Sequence, residues 1–152
     1  MGTCCRDSRW RNTLTAEHRH CRRPVVSALK TLKAFSVENG HCFPGTPDVC
    51  YVGGWIELKE LDKFPVRPTT PVRVRHFTPE QRAWHVSWEH HGGVSWVLLK
   101  VGKFDWLLFR GTVAADILGR TVRSELESAA TLVMKSGLNK EMLLRCLQTT
   151  KT

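Results

Sequence analysis

Asp48, Glu57 and Lys59 are the residues whose types and spacing first suggest chemistry. Asp48–Val52 and Trp55–Lys59 read as two strands flanking Gly53-Gly54, a pair suited to a two-residue hairpin turn that needs positive φ. That turn sets Val52 opposite Trp55, Cys50 opposite Glu57 and Asp48 opposite Lys59. Cross-strand partners share a face. One face then carries Asp48, Cys50, Glu57 and Lys59, and the other carries Val49, Tyr51, Ile56 and Leu58 as a core face. Two carboxylates and an ammonium on one face are a minimal kit for a divalent cation acting on a phosphodiester. Mg²⁺ takes hard oxygen ligands and keeps several waters. It lowers the pKa of a bound water and stabilises charge building up on the phosphoryl group. The backbone carbonyl of Leu58 can join the ligand set while its side chain points into the core. The plainer alternative is a solvated hairpin with a cross-strand Asp48–Lys59 ion pair. Glu-x-Lys and Pro-Asp are each weak signals alone, Pro-Asp being a common turn dipeptide. The joint fit to one register favours chemistry.

The elements around the hairpin follow from periodicity and punctuation. Pro24–Phe35 reads as a helix, with Pro24 at its start and Val25, Leu29 and Leu32 on one face. An extended segment over Phe35–Asn39 follows. Residues 61–77 form a loop holding Pro65, Pro68 and Pro71 together with Arg67, Arg73, Arg75 and His76. Thr78-Pro79-Glu80-Gln81 opens a helix, with Thr78 as N-cap, Pro79 at the first helical position and Gln81 closing a capping box. Gly92-Gly93 ends it, and His90-His91 just before suits a helix C-terminus. Val94–Val101 and Asp105–Phe109 read as strands around Gly102-Lys103. Residues 112–148 read as helical with a break near Ser136-Gly137. Trp84 and Trp88, four apart on the second helix, and Trp96 and Trp106 on strands are expected in the core.

The 152 residues suggest one domain, and a hydrophobic content of 41% suggests a globular one. No run is long and apolar enough to suggest a membrane span, and no apolar stretch follows the basic N-terminus as a secretory signal would require. The net charge of +9 is uneven: residues 1–33 hold eight Lys/Arg against two acids, 34–111 nine against eight, and 112–152 six against four. The excess is therefore an arm, expected to be poorly ordered without a partner. Such an arm attracts a polyanion, most simply nucleic acid, or serves as a solvated tail. Six cysteines at 4, 5, 21, 42, 50 and 146 show no disulfide spacing, which fits a reducing intracellular compartment. Cys4, Cys5, His18, His20 and Cys21 match no zinc pattern. Met1-Gly2 with Arg6 at the sixth position departs from the myristoylation pattern.

The stretch VENGHCFPGTPDVCYVGGWIELK, residues 37–59, resembles the signature of the PD-(D/E)XK nuclease superfamily, nearest its small VRR-NUC-type and phage Holliday-junction-resolvase-like members. Those families run Glu, then Gly-x-Pro-Asp, then a strand with Glu-x-Lys, then a helix bearing Gln. Here the matches are Glu38, Gly45 to Asp48, Glu57 to Lys59, and Gln81, so the resemblance covers roughly residues 25–110. It implies an α/β (α+β), restriction-endonuclease-like fold, a mixed central sheet flanked by helices. It implies a Mg²⁺- or Mn²⁺-dependent nuclease acting on DNA, plausibly branched, as a homodimer. Asp48 and Glu57 would bind metal with the Leu58 carbonyl, and Lys59 would orient or activate the attacking water. Glu38 would add a metal or water contact, or is simply a turn residue beside Asn39-Gly40. Gln81 would help hold the site, or is simply a cap. Arg22, Arg23, Arg67, Arg73, Arg75 and His76 would hold phosphates. Two alternatives are a non-catalytic nucleic-acid-binding module and a repair or restriction nuclease working within a larger complex. The expected organisation is a basic arm over 1–23, a nuclease core over 24–111 and a C-terminal helical extension over 112–152.

Overall fold

The runs Trp96–Leu99 and Trp106–Phe109 are apolar on both sides, so both faces of the sheet must be covered. The computed structural model describes residues 21–37 and 43–149. Its elements run α1 (Arg23–Ala28), β1 (Phe35–Ser36), β2 (Val49–Tyr51), β3 (Gly54–Leu61), α2 (Pro79–His90), β4 (Ser95–Val101), β5 (Asp105–Arg110), α3 (Gly111–Ile117), α4 (Arg123–Ala129), β6 (Leu132–Met134) and α5 (Lys140–Thr149). The six strands lie in sequence order in one sheet. All neighbours are antiparallel except β3 and β4, which pair in parallel. A parallel pair needs a crossover, and α2 supplies it. The architecture is the mixed central sheet flanked by helices that the resemblance implies.

One face packs Val49, Tyr51, Ile56, Leu58, Trp96, Leu98 and Leu108 against Val25 and Leu29 of the N-terminal helical segment and Leu143 and Leu147 of α5. The other packs Val97, Leu99, Leu107 and Phe109 against Phe77, Ala114, Leu118 and Leu126. The three N-terminal residues expected on one helical face, Val25, Leu29 and Leu32, are all buried. Their helix is shorter than expected. After α1 the chain tightens into a 3₁₀ turn over Lys30–Leu32, and Lys33 adopts φ 54°, which no helix continues through.

The hairpin forms, but two residues out of the expected register. Val49 faces Ile56, Cys50 faces Trp55 and Tyr51 faces Gly54, so the turn is Val52-Gly53. Gly54 belongs to the strand through its pairing with Tyr51, and the position takes glycine because a Cβ there would lie 2.7 Å from the Val94 carbonyl oxygen. A slip of two preserves which side chains share a face, whereas a slip of one would exchange them. A second difference lies in residues 112–148. Besides α3, α4 and α5 they contain β6, whose residues pair with β5. Three residues are too few to show a period of their own, so pairing with a neighbour makes them a strand. Trp96 and Trp106 are core residues as expected, but Trp88 is 40% exposed.

Candidate active site

Asp48 ends the loop that enters β2. Gly45 in that loop sits at φ +86°, and a Cβ on it would meet the Glu80 carbonyl oxygen at 2.5 Å, so the loop lies against the start of α2. The Asp48 carbonyl accepts from the Val37 N–H at 2.8 Å, tying it beside β1. Its side chain reaches over to β3: Oδ2 accepts the Leu58 N–H at 2.9 Å. Oδ1 pairs with the Arg22 guanidinium, which also donates to Ser36 Oγ at 3.3 Å. The Asp48–Lys59 ion pair of the plainer alternative does not form. With Asp48 registered toward Glu57, Lys59 turns to its own strand neighbour.

Glu57 and Lys59 point from β3 under α2 and are 2% and 4% exposed, so this is a buried site and not a solvated face. Lys59 Nζ lies 2.7 Å from Glu57 Oε1. Gln81 Nε2 donates to the same oxygen at 2.7 Å. Thr78 is the N-cap of α2: its Oγ1 accepts the Gln81 N–H at 3.3 Å, and Gln81 Oε1 accepts the Thr78 N–H at 3.0 Å. The two readings of Gln81 therefore hold together, its carbonyl oxygen closing the capping box and its amide nitrogen holding Glu57.

Glu57 Oε2 is buried with no hydrogen-bond partner among the described residues. An ionised carboxylate left half bare in a dry site is costly. Burial first, and then the Asp48 charge, push the Glu57 carboxyl up to about 8, against the opposing pull of Lys59. The short Lys59 contact favours the ionised form, but burial and the neighbouring Asp48 carboxylate, which repels the charge and accepts the proton, outweigh it, so the net direction is upward.

The donor set fits a hard cation. Glu57 offers a bare oxygen, and Asp48 is close enough to repel it. A residue's N–H and C=O leave a strand on the same side, so the Leu58 carbonyl emerges at the edge where its N–H meets Asp48. A cation there would satisfy Oε2 and relieve the repulsion between the carboxylates. The Arg22 guanidinium already places positive charge on Asp48. No group of three or more His, Cys, Asp or Glu gathers into a metal cluster among the described residues.

No family model matches the chain, and no curated protein sequence matches it. Among solved structures it is similar to Hjc, a Holliday junction resolvase from the archaeal hyperthermophile Archaeoglobus fulgidus. The similarity has a TM-score of 0.43 and 19% identity, over 62% of this chain and 77% of that one.

The structure brings Asp48, Glu57, Leu58, Lys59 and Gln81 together, whereas Glu38 lies outside the described residues. Arg22 pairs with Asp48, and Cys21 beside it is fully buried in the core. Arg23, Arg67, Arg73, Arg75 and His76 are exposed. Arg73 and Arg75 line a groove with Glu60, Phe64 and Pro71. No helix among the described residues is long and apolar enough to cross a membrane.

Four residues near the site escaped the sequence reading. His85 is fully buried, and its Nδ1 lies 2.9 Å from Ser95 Oγ, which donates to Glu89 Oε1 at 3.0 Å. A signal existed: Gln81, His85 and Glu89 repeat at four residues, a polar stripe along one side of α2. Trp55, two residues before Glu57 on the same strand face, meets Trp84 and Trp88 edge-on at 5.7 and 6.2 Å.

Proposed function

We propose that this chain is a divalent-metal-dependent DNA endonuclease of the PD-(D/E)XK kind, nearest the small VRR-NUC-type and junction-resolvase-like branches, and acting on branched DNA. The observation that supports the reading most is the bare, buried Glu57 Oε2 beside Asp48, with the Lys59 ammonium 2.7 Å from the other oxygen of the same carboxylate. In this reading Asp48, Glu57 and the Leu58 carbonyl hold Mg²⁺ or Mn²⁺, with Glu38 as a further ligand. When bound, the ion supplies an activated water and positive charge for the scissile phosphate. Lys59 would orient the attacking water toward the scissile phosphate. Gln81 fixes Glu57 by occupying Oε1 and leaving Oε2 for the ion. Arg23, Arg67, Arg73, Arg75 and His76 grip the DNA backbone, which positions the duplex without reading sequence. The proposed working form is a homodimer.

A second reading has support from Arg22. Its guanidinium on Asp48 supplies a counter-charge without any metal, as a non-catalytic nucleic-acid-binding module would need. Purified protein incubated with linear duplex, single strand, flap, nicked and four-way-junction DNA separates the two. The nuclease reading expects strand scission with Mg²⁺ or Mn²⁺, none with EDTA, and fastest on a branched substrate. Binding without scission under every metal condition supports the module instead.

A further inference from the structure

Glu89 on α2 is surrounded by donors. Besides Ser95 Oγ, it accepts the Gly111 N–H at 3.0 Å, the Thr112 N–H at 3.4 Å and the Thr112 hydroxyl at 2.7 Å. An ionised carboxylate only accepts, so the Ser95 hydroxyl hydrogen is committed to Glu89. The oxygen of Ser95 must then accept from His85 Nδ1, 2.9 Å away. This fixes the tautomer, with the hydrogen of the neutral ring on Nδ1 and a bare lone pair on Nε2. His85 is fully buried, and its Nε2 has no partner among the described residues. Burial holds the ring neutral, pushing its proton affinity down to about 4.

A buried acceptor without a donor calls for an explanation, and the matching surplus lies on Lys59. An ammonium has three N–H donors, and Lys59 directs one at Glu57 Oε1. The Phe77 ring is common to both groups, 5.8 Å from Lys59 Nζ and 6.1 Å from the His85 ring. His85 also follows Gln81 by one helical turn, and Gln81 holds the same Glu57 oxygen that Lys59 approaches.

We infer that His85 is a positioning residue whose bare Nε2 accepts a hydrogen bond from the Lys59 ammonium through one water, and so aims Lys59 between Glu57 and the scissile phosphate. The inference rests on the nuclease reading for its consequence, but the hydrogen bond itself does not. The Glu89–Ser95–His85 chain sets the ring, and the ring sets the lysine.

The test uses two variants and one spectrum. His85→Asn keeps an amide donor near the Nδ1 position and so keeps the Ser95 bond, but it lacks any group at Nε2. His85→Gln places its amide near the Nε2 position. With folding checked by thermal melting, His85→Asn should lose roughly 10- to 100-fold in single-turnover cleavage, as expected when a hydrogen bond to a charged group is lost. His85→Gln should recover most of that loss. His85→Asn cutting at the wild-type rate would overturn the proposal, since a purely structural role needs only Nδ1. Imidazole ¹⁵N spectra of the wild type should show hydrogen on Nδ1 and an Nε2 resonance that moves in Lys59→Met. Hydrogen on Nε2, or a resonance indifferent to Lys59→Met, would overturn it too. If the wild type cuts no DNA, the nuclease reading fails by itself, and the spectra still decide the hydrogen bond. They also decide if the His85 variants do not fold.

Discussion

Under α1 and α5 the sheet presents Val49, Tyr51, Ile56, Leu58, Trp96 and Leu98, whereas under α2 the same strands present Glu57, Lys59 and Ser95. On the first face the Trp96 indole donates to the Tyr51 hydroxyl at 3.1 Å, and the Arg110 guanidinium lies over the Trp96 ring with its Nη1 buried and unpartnered among the described residues. The second buries the Glu57 carboxyl beside that of Asp48 and leaves Glu57 Oε2 and His85 Nε2 without a partner among the described residues. A buried acceptor that finds no donor costs about 1–3 kcal/mol. The first face is apolar along its length, whereas the second sets a dry, charged patch beside Asp48 among apolar neighbours such as Val97, Leu99 and Phe109.

The comparison breaks most decisively at the carboxylates. Asp48→Ala and Glu57→Ala are expected to abolish cleavage, by more than ~10³-fold, because the cation loses its anchor. DNA affinity should persist or rise as negative charge near the phosphates is removed. Gel-based cleavage and binding assays on the same samples check this, and wild-type cutting by either variant would show that the site is misplaced. The opposite face should respond in the opposite way. Leu98→Ala opens a cavity under α1 and α5 and should cost about 2–5 kcal/mol in urea unfolding. Its single-turnover rate at low temperature should stay near wild type. Lys59→Ala comes next. It should slow cleavage at least ~10²-fold with little change in DNA affinity, as for removal of a positioned catalytic group. Near-normal single-turnover cleavage would reduce Lys59 to an ion-pair partner of Glu57.

Much of this contrast was written in the alternation of residues 48–59. Asp48, Glu57 and Lys59 share a side because a strand's period is two, and the two-residue error in register left that side unchanged. Thr78 and Gln81 were legible because a capping box is local. What escaped depends on partners distant in sequence. Gly54 is held to glycine by Val94, forty residues on. Arg22 meets Asp48 across 26 residues, and β6 is a strand only because β5 lies beside it. The burial of Glu57 was hidden too. Alternation says that two faces differ, but it does not say that a helix will cover the polar one.

Acidity offers a smaller and more graded contrast. Unfolded Glu57 loses its proton near the ordinary 4.5, but in the folded chain it keeps it to about 8. Between those values the folded state binds the extra proton, so stability falls as pH rises, by at most about 1.4 kcal/mol per unit, and levels off above about 8. Glu57→Gln removes the charge to be buried. The variant should match the wild type near pH 4.5 and become progressively more stable than it towards pH 8 when melted without divalent ions. His85 titrates near 4 when folded against an ordinary 6.5, which tilts stability the other way over that lower window. That tilt is common to both proteins and cancels in their difference. A constant gap between the two melting curves across this range would place Glu57 in a wetter site than its burial describes.

The central claim is that Asp48 and Glu57 form one cation site, and Mn²⁺ binding followed by electron paramagnetic resonance tests it most directly. The account predicts saturable Mn²⁺ binding by the wild type that strengthens as pH rises towards 8, because the ion must displace the Glu57 proton. The same titration should show that binding lost in Glu57→Gln and in Asp48→Asn, with both variants folded. Mn²⁺ bound equally well by wild type and Glu57→Gln, or by neither at any pH, would contradict it.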